Sequence, residues 1–362
     1  MNPILNTAIL IAQLFIGLTI VIILHELGHF FAARFFGVKS EEIGLGLPPR
    51  IAFIGKFLDT PLSINWLPFG AFVRIRDESG TKEAACGLFS VSPIKRITIF
   101  LAGPVVNLVL SFILLSIVTT GLGIPDPTKL ETFGIIQDSP AAIAGLQAGD
   151  IITAVNGKIF QSYDEFHQEI QNNLGKVVSL TISRGDGKQA FETTLVPRIS
   201  PPEGQGPMGL GVRTPKKEAN AFEIIGATAE SFGGYVQSLF GIMGRLITGT
   251  AGANDQLVGF KGMYDVYQYT QNQDVTATIP GWITALNFFG LISASLGIVN
   301  LLPIPALDGG RIFLSLPELM FKVKIPRRVE TVLTAIGFVL LMLLMLYINI
   351  KDFIQPIPLP GS

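Results

Sequence analysis

The chain has 362 residues, 49% of them apolar and 15% charged, with a formal net charge of −1 and a mean hydropathy of +0.51. Soluble domains carry roughly 25% charged residues, so a deficit this large points to segments dissolved in lipid and excludes a disordered chain. A near-zero net charge excludes a nucleic-acid binder. The single cysteine, Cys86, excludes an internal disulfide and a cysteine-built zinc site.

Four stretches carry no charge and are long enough to span a bilayer core, which takes about 20 residues. They run from the N-terminus to Leu24, from Ile97 to about Gly123, from about Ile279 to Leu307, and from Thr331 to Ile350. The first lacks a basic n-region and an A-x-A site, so it does not read as a cleaved leader. Nine Lys and Arg residues follow the first span before the second, and five lie between the third and the fourth. By the positive-inside rule both basic loops are expected on the cytoplasmic side, with the termini and the 124–278 insert outside. Phe232 to Thr250 is also apolar but is broken by Arg245 and several glycines. It is expected to be an amphipathic helix on the outer surface rather than a fifth span.

At the end of the first span, His25-Glu26-Leu27-Gly28-His29 is an H-E-x-x-H motif. On a helix, residues i and i+4 share a face, so both imidazoles can reach one metal ion with Glu26 beside it as a base for water. Zinc brings the pKa of bound water to about 7. Ionisable groups inside a membrane helix are costly and functional by default. A hydrolytic zinc site usually takes three protein ligands. The remaining histidine, His167, lies far away in the insert, so the third ligand must be a carboxylate. Asp308 is the candidate, between Pro303-Ile304-Pro305-Ala306-Leu307 and Gly309-Gly310. The prolines break the helix there, and an aspartate at such a break also suits a helix N-cap or a turn.

Three motifs together resemble the signatures of the site-2 proteases, zinc metalloproteases that cut inside membranes. They are His25–His29, Phe100-Leu101-Ala102-Gly103-Pro104-Val105-Val106-Asn107, and Asn300-Leu301-Leu302-Pro303-Ile304-Pro305-Ala306-Leu307-Asp308-Gly309. They occur in the family's order over nearly the whole chain, and the bacterial regulator-of-sigma-E protease type is the nearest match. The resemblance implies zinc ligation by His25, His29 and Asp308 and a general-base role for Glu26. It places Asn107 near the catalytic centre, as a substrate-binding residue, and Asn300 on the substrate backbone. Either asparagine also suits an interhelical hydrogen bond.

Between the first two spans, Gly44–Pro49 and Leu67–Val73 flank the alternating Leu62-Ser63-Ile64-Asn65-Trp66. This resembles the family's membrane-associated β-hairpin, with Phe69 and Ala71 where Leu and Gly are common. An edge strand there can pair with an unwound substrate.

The insert has the composition of a soluble domain. Ser139-Pro140 starts a helix, and Ser162-Tyr163-Asp164-Glu165 is a capping box for a second. Ile151–Val155 is a strand ending in the Asn156-Gly157 turn. Two more strands, Val177–Arg184 and Gln189–Val196, flank Gly185-Asp186-Gly187. The run 139–150 resembles a bacterial PDZ domain, in a single copy, with Gly209, Leu210 and Gly211 in its carboxylate-binding loop. His167 reads as an exposed helical residue, Pro201 to Pro207 as a linker, and Cys86 as a reduced cytoplasmic thiol.

The expectation is a polytopic α-helical membrane protein of about four transmembrane helices, with a membrane-associated β-hairpin and an inserted α+β PDZ domain. Its divisions are 1–123 and 279–362 for the membrane halves, 124–213 for the PDZ domain, and 214–278 for a linker with a surface helix. The resemblance implies a Zn2+-dependent intramembrane protease of a bacterial inner membrane, with its active site toward the cytoplasm and the PDZ domain outside. Its implied partners are single-span membrane substrates, peptide C-termini and the lipid bilayer, with no nucleic acid. A catalytically silent scaffold that binds peptides through the PDZ domain is the alternative.

Overall fold

The structure is a computed structural model, and it describes residues 3–76, 86–185, 189–202, 204–250, 257–273 and 280–356. The chain forms two compact units: Leu122–Ile224 is one, and Met1–Gly121 with Ile225–Ser362 is the other. The boundary falls at 224 because Lys216 and Lys217 pair with Pro125 and Ile124. That pairing keeps the residues after Arg213 with the insert.

The larger unit is built on four helices long and apolar enough to cross a membrane. α1 runs over Pro3–Phe35 without interruption through His25 and His29. Next come two strands, β1 (Ser40–Phe57) and β2 (Thr60–Ile75), and then α2 (Pro93–Leu122), which carries Pro104 in its interior. Exposed apolar residues such as Ile16, Ile20, Val109 and Ile113 cover the outside of α1 and α2, as expected where lipid is the solvent.

β1 and β2 turn at Leu58-Asp59, both with positive φ (47° and 71°), the conformation that two-residue hairpin turns need. The strand region is longer than the sequence suggests, because the Gly44–Pro49 and Leu67–Val73 flanks are themselves strand. Pro48 and Pro49 sit where the register slips between Leu47 and Arg50, a place that tolerates residues without an N–H. Ile43 to Leu45 face Val73 to Ala71 and also Leu62 to Ile64. Glu42 locks this bend: Ser63 Oγ and Arg50 Nη1 donate to its Oε1 at 2.6 and 3.3 Å, and Arg74 Nη1 to its Oε2 at 3.0 Å. Ile43, Val73 and Ile75 then bury with Phe30 of α1 and Ile99 and Phe100 of α2. Their burial holds the second limb of β2 against the HExxH turn.

In the smaller unit, β3 (Ile124–Pro125) is followed by β4 (Leu130–Ile135), α3 (Pro140–Ile143), β5 (Ile151–Val155), α4 (Tyr163–Asn172), β6 (Val178–Arg184), β7 (Gln189–Leu195), β8 (Leu210–Arg213) and β9 (Lys216–Lys217). Five of these strands form one sheet in the order β7-β6-β5-β4-β8, and β3 pairs with β9. Leu130, Ile152, Phe166, Ile170, Leu180 and Ile182 are at its core. Both expected caps are present: Ala142 N–H donates to Ser139 Oγ, and Glu165 N–H to Ser162 Oγ, each at 3.2 Å. Asn156 and Gly157 take φ of 51° and 73° in the expected turn. The Gly185-Asp186-Gly187 turn lies partly outside the described residues. At the end of the proline-rich 201–207 stretch, Pro207 O accepts Arg198 N–H at 2.8 Å.

The larger unit resumes with α5 (Ala221–Thr248), α6 (Phe260–Gln273), α7 (Gly281–Asn300), α8 (Asp308–Phe321) and α9 (Arg327–Ile354). α5 takes in most of the Phe232–Thr250 stretch expected on the outer surface, and Phe232 and Tyr235 at the start of that stretch lie against α2 and α7. Phe232 meets Phe112 edge to face with centroids 6.2 Å apart, and Tyr235 shares a hydrogen bond with Ser295 at 2.6 Å. α6 starts under α9: Asp352 is 2% exposed and accepts Gly259 and Gly262 N–H, while Asn349 Oδ1 accepts Phe260 N–H. A carboxylate at a helix N-terminus satisfies its orphan donors and its dipole together. The third charge-free stretch is not one helix. α7 stops at Asn300, and residues 301–307 form a tight turn with Ala306 at φ 83°. A Cβ on Gly309 would overlap the carbonyls of Leu301 and Leu302, so a side chain there would push this turn off the start of α8.

Candidate metal centre

His25 and His29 project from one face of α1, their rings 4.8 Å apart and nearly perpendicular. Asp308 opens α8 and reaches them from the far end of the chain. His25 Nε2, His29 Nε2 and Asp308 Oδ2 form a triangle with all three edges at 3.2 Å. Two donors bound tetrahedrally to zinc at about 2.0–2.1 Å lie about 3.3 Å apart. The three atoms therefore match one face of such a site and leave the fourth vertex open. Among the described residues this is the group of three or more His, Cys, Asp or Glu side chains placed to hold a metal.

The other ring nitrogens support the same reading. His29 Nδ1 is 2.8 Å from the carbonyl oxygen of Ile99. A carbonyl only accepts, so Nδ1 carries the proton and Nε2 keeps its lone pair for a metal. His25 Nδ1 is 3.2 Å from the Asn107 amide nitrogen, while Asn107 Oδ1 is buried with no partner among the described residues. A half-turn of the amide lets Oδ1 accept the Nδ1 proton and leaves His25 Nε2 free as well. Asn107 is fully buried, and its main-chain carbonyl accepts Ser293 Oγ–H at 2.8 Å. Its side chain lies on His25, whereas the sequence reading gives it a substrate contact.

α2 comes close enough for these contacts because Gly103 has no side chain. A Cβ there would overlap His29 Nε2 and stand 2.8 Å from His25 Cε1. Gly28 on α1 plays the reciprocal part, since a Cβ there would stand 2.6 Å from Ala102 O. Glu26 points past the histidines to the hairpin, where Val73 N–H donates to its Oε2 at 2.9 Å.

His25 and His29 are buried, at 6% and 7% exposure. The structure thus brings together His25, Glu26, His29, Asp308 and Asn107. Asn300 ends α7 half-buried, with no hydrogen bond to its amide among the described residues. Gly209, Leu210 and Gly211 belong to the other unit. Gly209 has φ of 70° and its Cβ position is blocked by Ser139, and Gly209 O accepts Ile136 N–H at 2.9 Å. His167 is exposed on α4, stacked on Tyr163. Gly103, the Ile99 carbonyl and the Val73 N–H are contributors that the sequence reading does not assign. Gly103 lies inside the Phe100–Asn107 motif, whereas the other two act through the main chain and leave no side-chain signal.

Comparison with known proteins places this geometry in a family. Residues 13–344 match Peptidase family M50. A Clostridium acetobutylicum protein named "Putative zinc metalloprotease" is 33% identical over 352 residues, covering 96% of this chain and 98% of the relative. Zinc metalloprotease RasP of Shouchella clausii is 33% identical over 270 residues, covering 73% of this chain and 60% of the relative. A PDZ domain of the SdrC-like protein of Listeria monocytogenes shares 25% identity with 23% of this chain, covering 85% of its own chain at a TM-score of 0.21. With its four apolar helices and its His-His-Asp triangle, this membrane protein belongs to peptidase family M50, the site-2 proteases, and is a zinc metalloprotease.

Proposed function

We propose that the protein hydrolyses peptide bonds inside the transmembrane segment of single-span membrane proteins. The observation that carries this reading is the 3.2 Å His25–His29–Asp308 triangle built on a helix long enough to cross the bilayer. His25 lies 22 residues after Pro3, about 33 Å along the helix at 1.5 Å per residue. That depth is toward the end of the span followed by the basic loop, which we assign to the cytoplasmic side of a bacterial inner membrane.

His25 Nε2, His29 Nε2 and Asp308 Oδ2 would hold a zinc ion, which when bound would supply acidification of water and polarisation of a carbonyl. Glu26 takes the proton from water at Oε1, with Oε2 held by Val73 N–H, and delivers it to the nitrogen of the leaving amine. Asn107 and the Ile99 carbonyl keep the two imidazoles in the tautomer that ligates. Asn300, whose amide at the end of α7 has no hydrogen bond among the described residues, holds the substrate backbone. A substrate helix hides its own amides, so it must unwind before it is cut. The limb of β2 that carries Val73 offers an edge to the unwound segment. The Leu122–Ile224 unit acts as a PDZ domain on the outer side, taking peptide C-termini along β8, an edge strand of its sheet, beside the Gly209–Gly211 loop.

The test is zinc content and cleavage of a reconstituted single-span substrate, comparing wild type with Glu26→Gln. Glu26→Gln keeps the metal and loses cleavage. Unchanged cleavage removes Glu26 from the mechanism, and wild-type protein that retains no zinc removes the metal.

A further inference from the structure

Along α2, Arg96, Ile99, Gly103 and Asn107 recur at helical spacing on one face. Three of them touch the metal histidines: Ile99 through its carbonyl, Gly103 by close approach, and Asn107 through its amide. Arg96, one turn below Ile99, reaches a different element. Its Nη2 donates to Glu318 Oε2 on α8, the helix whose first residue is Asp308. The pair is largely shielded from water, with Arg96 buried at 5% exposure and the Glu318 side chain partly buried at 21%. Phe89 covers the guanidinium, with its ring centroid 4.9 Å from Cζ.

We infer that Arg96 and Glu318 are a positioning pair that sets the lengthwise register of α8 on α2 and so places the Asp308 carboxylate against His25 and His29. This rests on the zinc reading of the site. Glu318 is ten residues after Asp308, about 15 Å and about 2.8 turns along the helix, so the two lie within about 80° of each other round its axis, on the side turned to α2. Between them Ile312 packs on the cluster of Phe30, Ile99 and Phe100, and Arg311 lies over the Phe100 ring at 5.5 Å. These contacts run antiparallel, α8 descending as α2 rises. Apolar contacts of this kind tolerate a slide of one helix on another, which would carry Asp308 away from the histidines by up to about 5.4 Å per turn. A buried ion pair has direction and does not tolerate such a slide. Among the described residues Arg96 Nε is buried without a partner, a cost that plain apolar packing would avoid. Buried ion pairs add little net stability over apolar side chains of similar size, so register is the property that this pair contributes.

The test measures zinc affinity of the full chain in detergent by chelator competition, the visible spectrum of the cobalt(II)-loaded protein, and the thermal unfolding midpoint. The variants are Glu318→Gln, the apolar pair Arg96→Met with Glu318→Leu, and the swap Arg96→Glu with Glu318→Arg. A positioning role predicts about tenfold or greater loss of zinc affinity, with an altered cobalt spectrum, in the first two, and recovery in the swap. The apolar pair is decisive, because it is expected to unfold at or above the wild-type midpoint while still binding zinc weakly. If it and Glu318→Gln bind zinc as wild type does, the inference is overturned and the zinc site stands. If wild type binds no zinc, the zinc reading falls and takes the inference with it.

Discussion

Replacing Gly103 by alanine is the most direct challenge to the metal centre, because it adds one carbon and no charge. Built on the existing backbone, that carbon overlaps His29 Nε2 and stands 2.8 Å from His25 Cε1 and therefore within contact distance of both ligands. Relief must come from the ring or from the helices. The His29 ring is tied through Nδ1 to Ile99 O at 2.8 Å, one turn away on the same helix. The helices cannot close elsewhere, since Gly28 is already packed on the Ala102 carbonyl. Overpacking of this kind costs about 1–3 kcal/mol. Displacing one of three donors is expected to lower zinc affinity about 100-fold, equivalent to about 2.7 kcal/mol. Chelator competition on detergent-solubilised protein reads this directly, and circular dichroism checks that the helices persist. Gly233→Ala on α5 is the control, since nothing lies within 4 Å of its Cβ position. Gly103→Ala binding zinc with wild-type affinity would refute the close approach of α2 and with it the geometry of the site.

Asn107→Leu leaves the His25 Nδ1 proton without an acceptor in a buried place. Such losses behind a metal ligand typically cost 10–100-fold in affinity, to be measured by the same competition; unchanged affinity would return Asn107 to a substrate role. Val73→Pro removes the N–H that holds Glu26 Oε2 and is expected to slow cleavage about tenfold or more at full zinc occupancy, so normal turnover would show that Glu26 needs no such support. In the smaller unit, burial works to raise the Asp150 pKa, but the Arg184 guanidinium and the Gln147 N–H outweigh it and hold the carboxyl below its ordinary range. The stabilisation is present above the unfolded value of about 3.9 and is lost as pH falls through the lower folded value. The midpoint gap between wild type and Asp150→Asn, read by thermal unfolding of the insert's strand signal, therefore shrinks on acidification below about pH 4; a gap independent of pH would contradict the pairing.

Much of the site was legible because its chemistry is written in side chains at fixed local spacing. His25, Glu26 and His29 are four residues apart at most, and a helix alone puts both imidazoles on one face. Charge-free length marked the four helices long and apolar enough to cross a membrane for a similar reason: a bilayer imposes composition residue by residue, with no partner required. The Ser139 and Ser162 caps and the Asn156-Gly157 turn were readable too, since each rests on contacts within a few positions.

What needed tertiary structure is whatever depends on segments far apart in the chain or on the main chain itself. Asp308 is 279 residues beyond His29, and on its own a carboxylate after two prolines suits a turn as well as a ligand. Only the packing of α8 on α2 brings it to 3.2 Å from both histidines. The assignment of Asn107 to His25, the use of Gly103 as a gap rather than a hinge, and the Val73 N–H on Glu26 are decided in the same way. The sequence by itself determined which groups are available at membrane depth, because that follows from composition and local periodicity. The tertiary structure decided which of them meet, because helix register and the path of a bent hairpin are set by contacts between elements that no local pattern records.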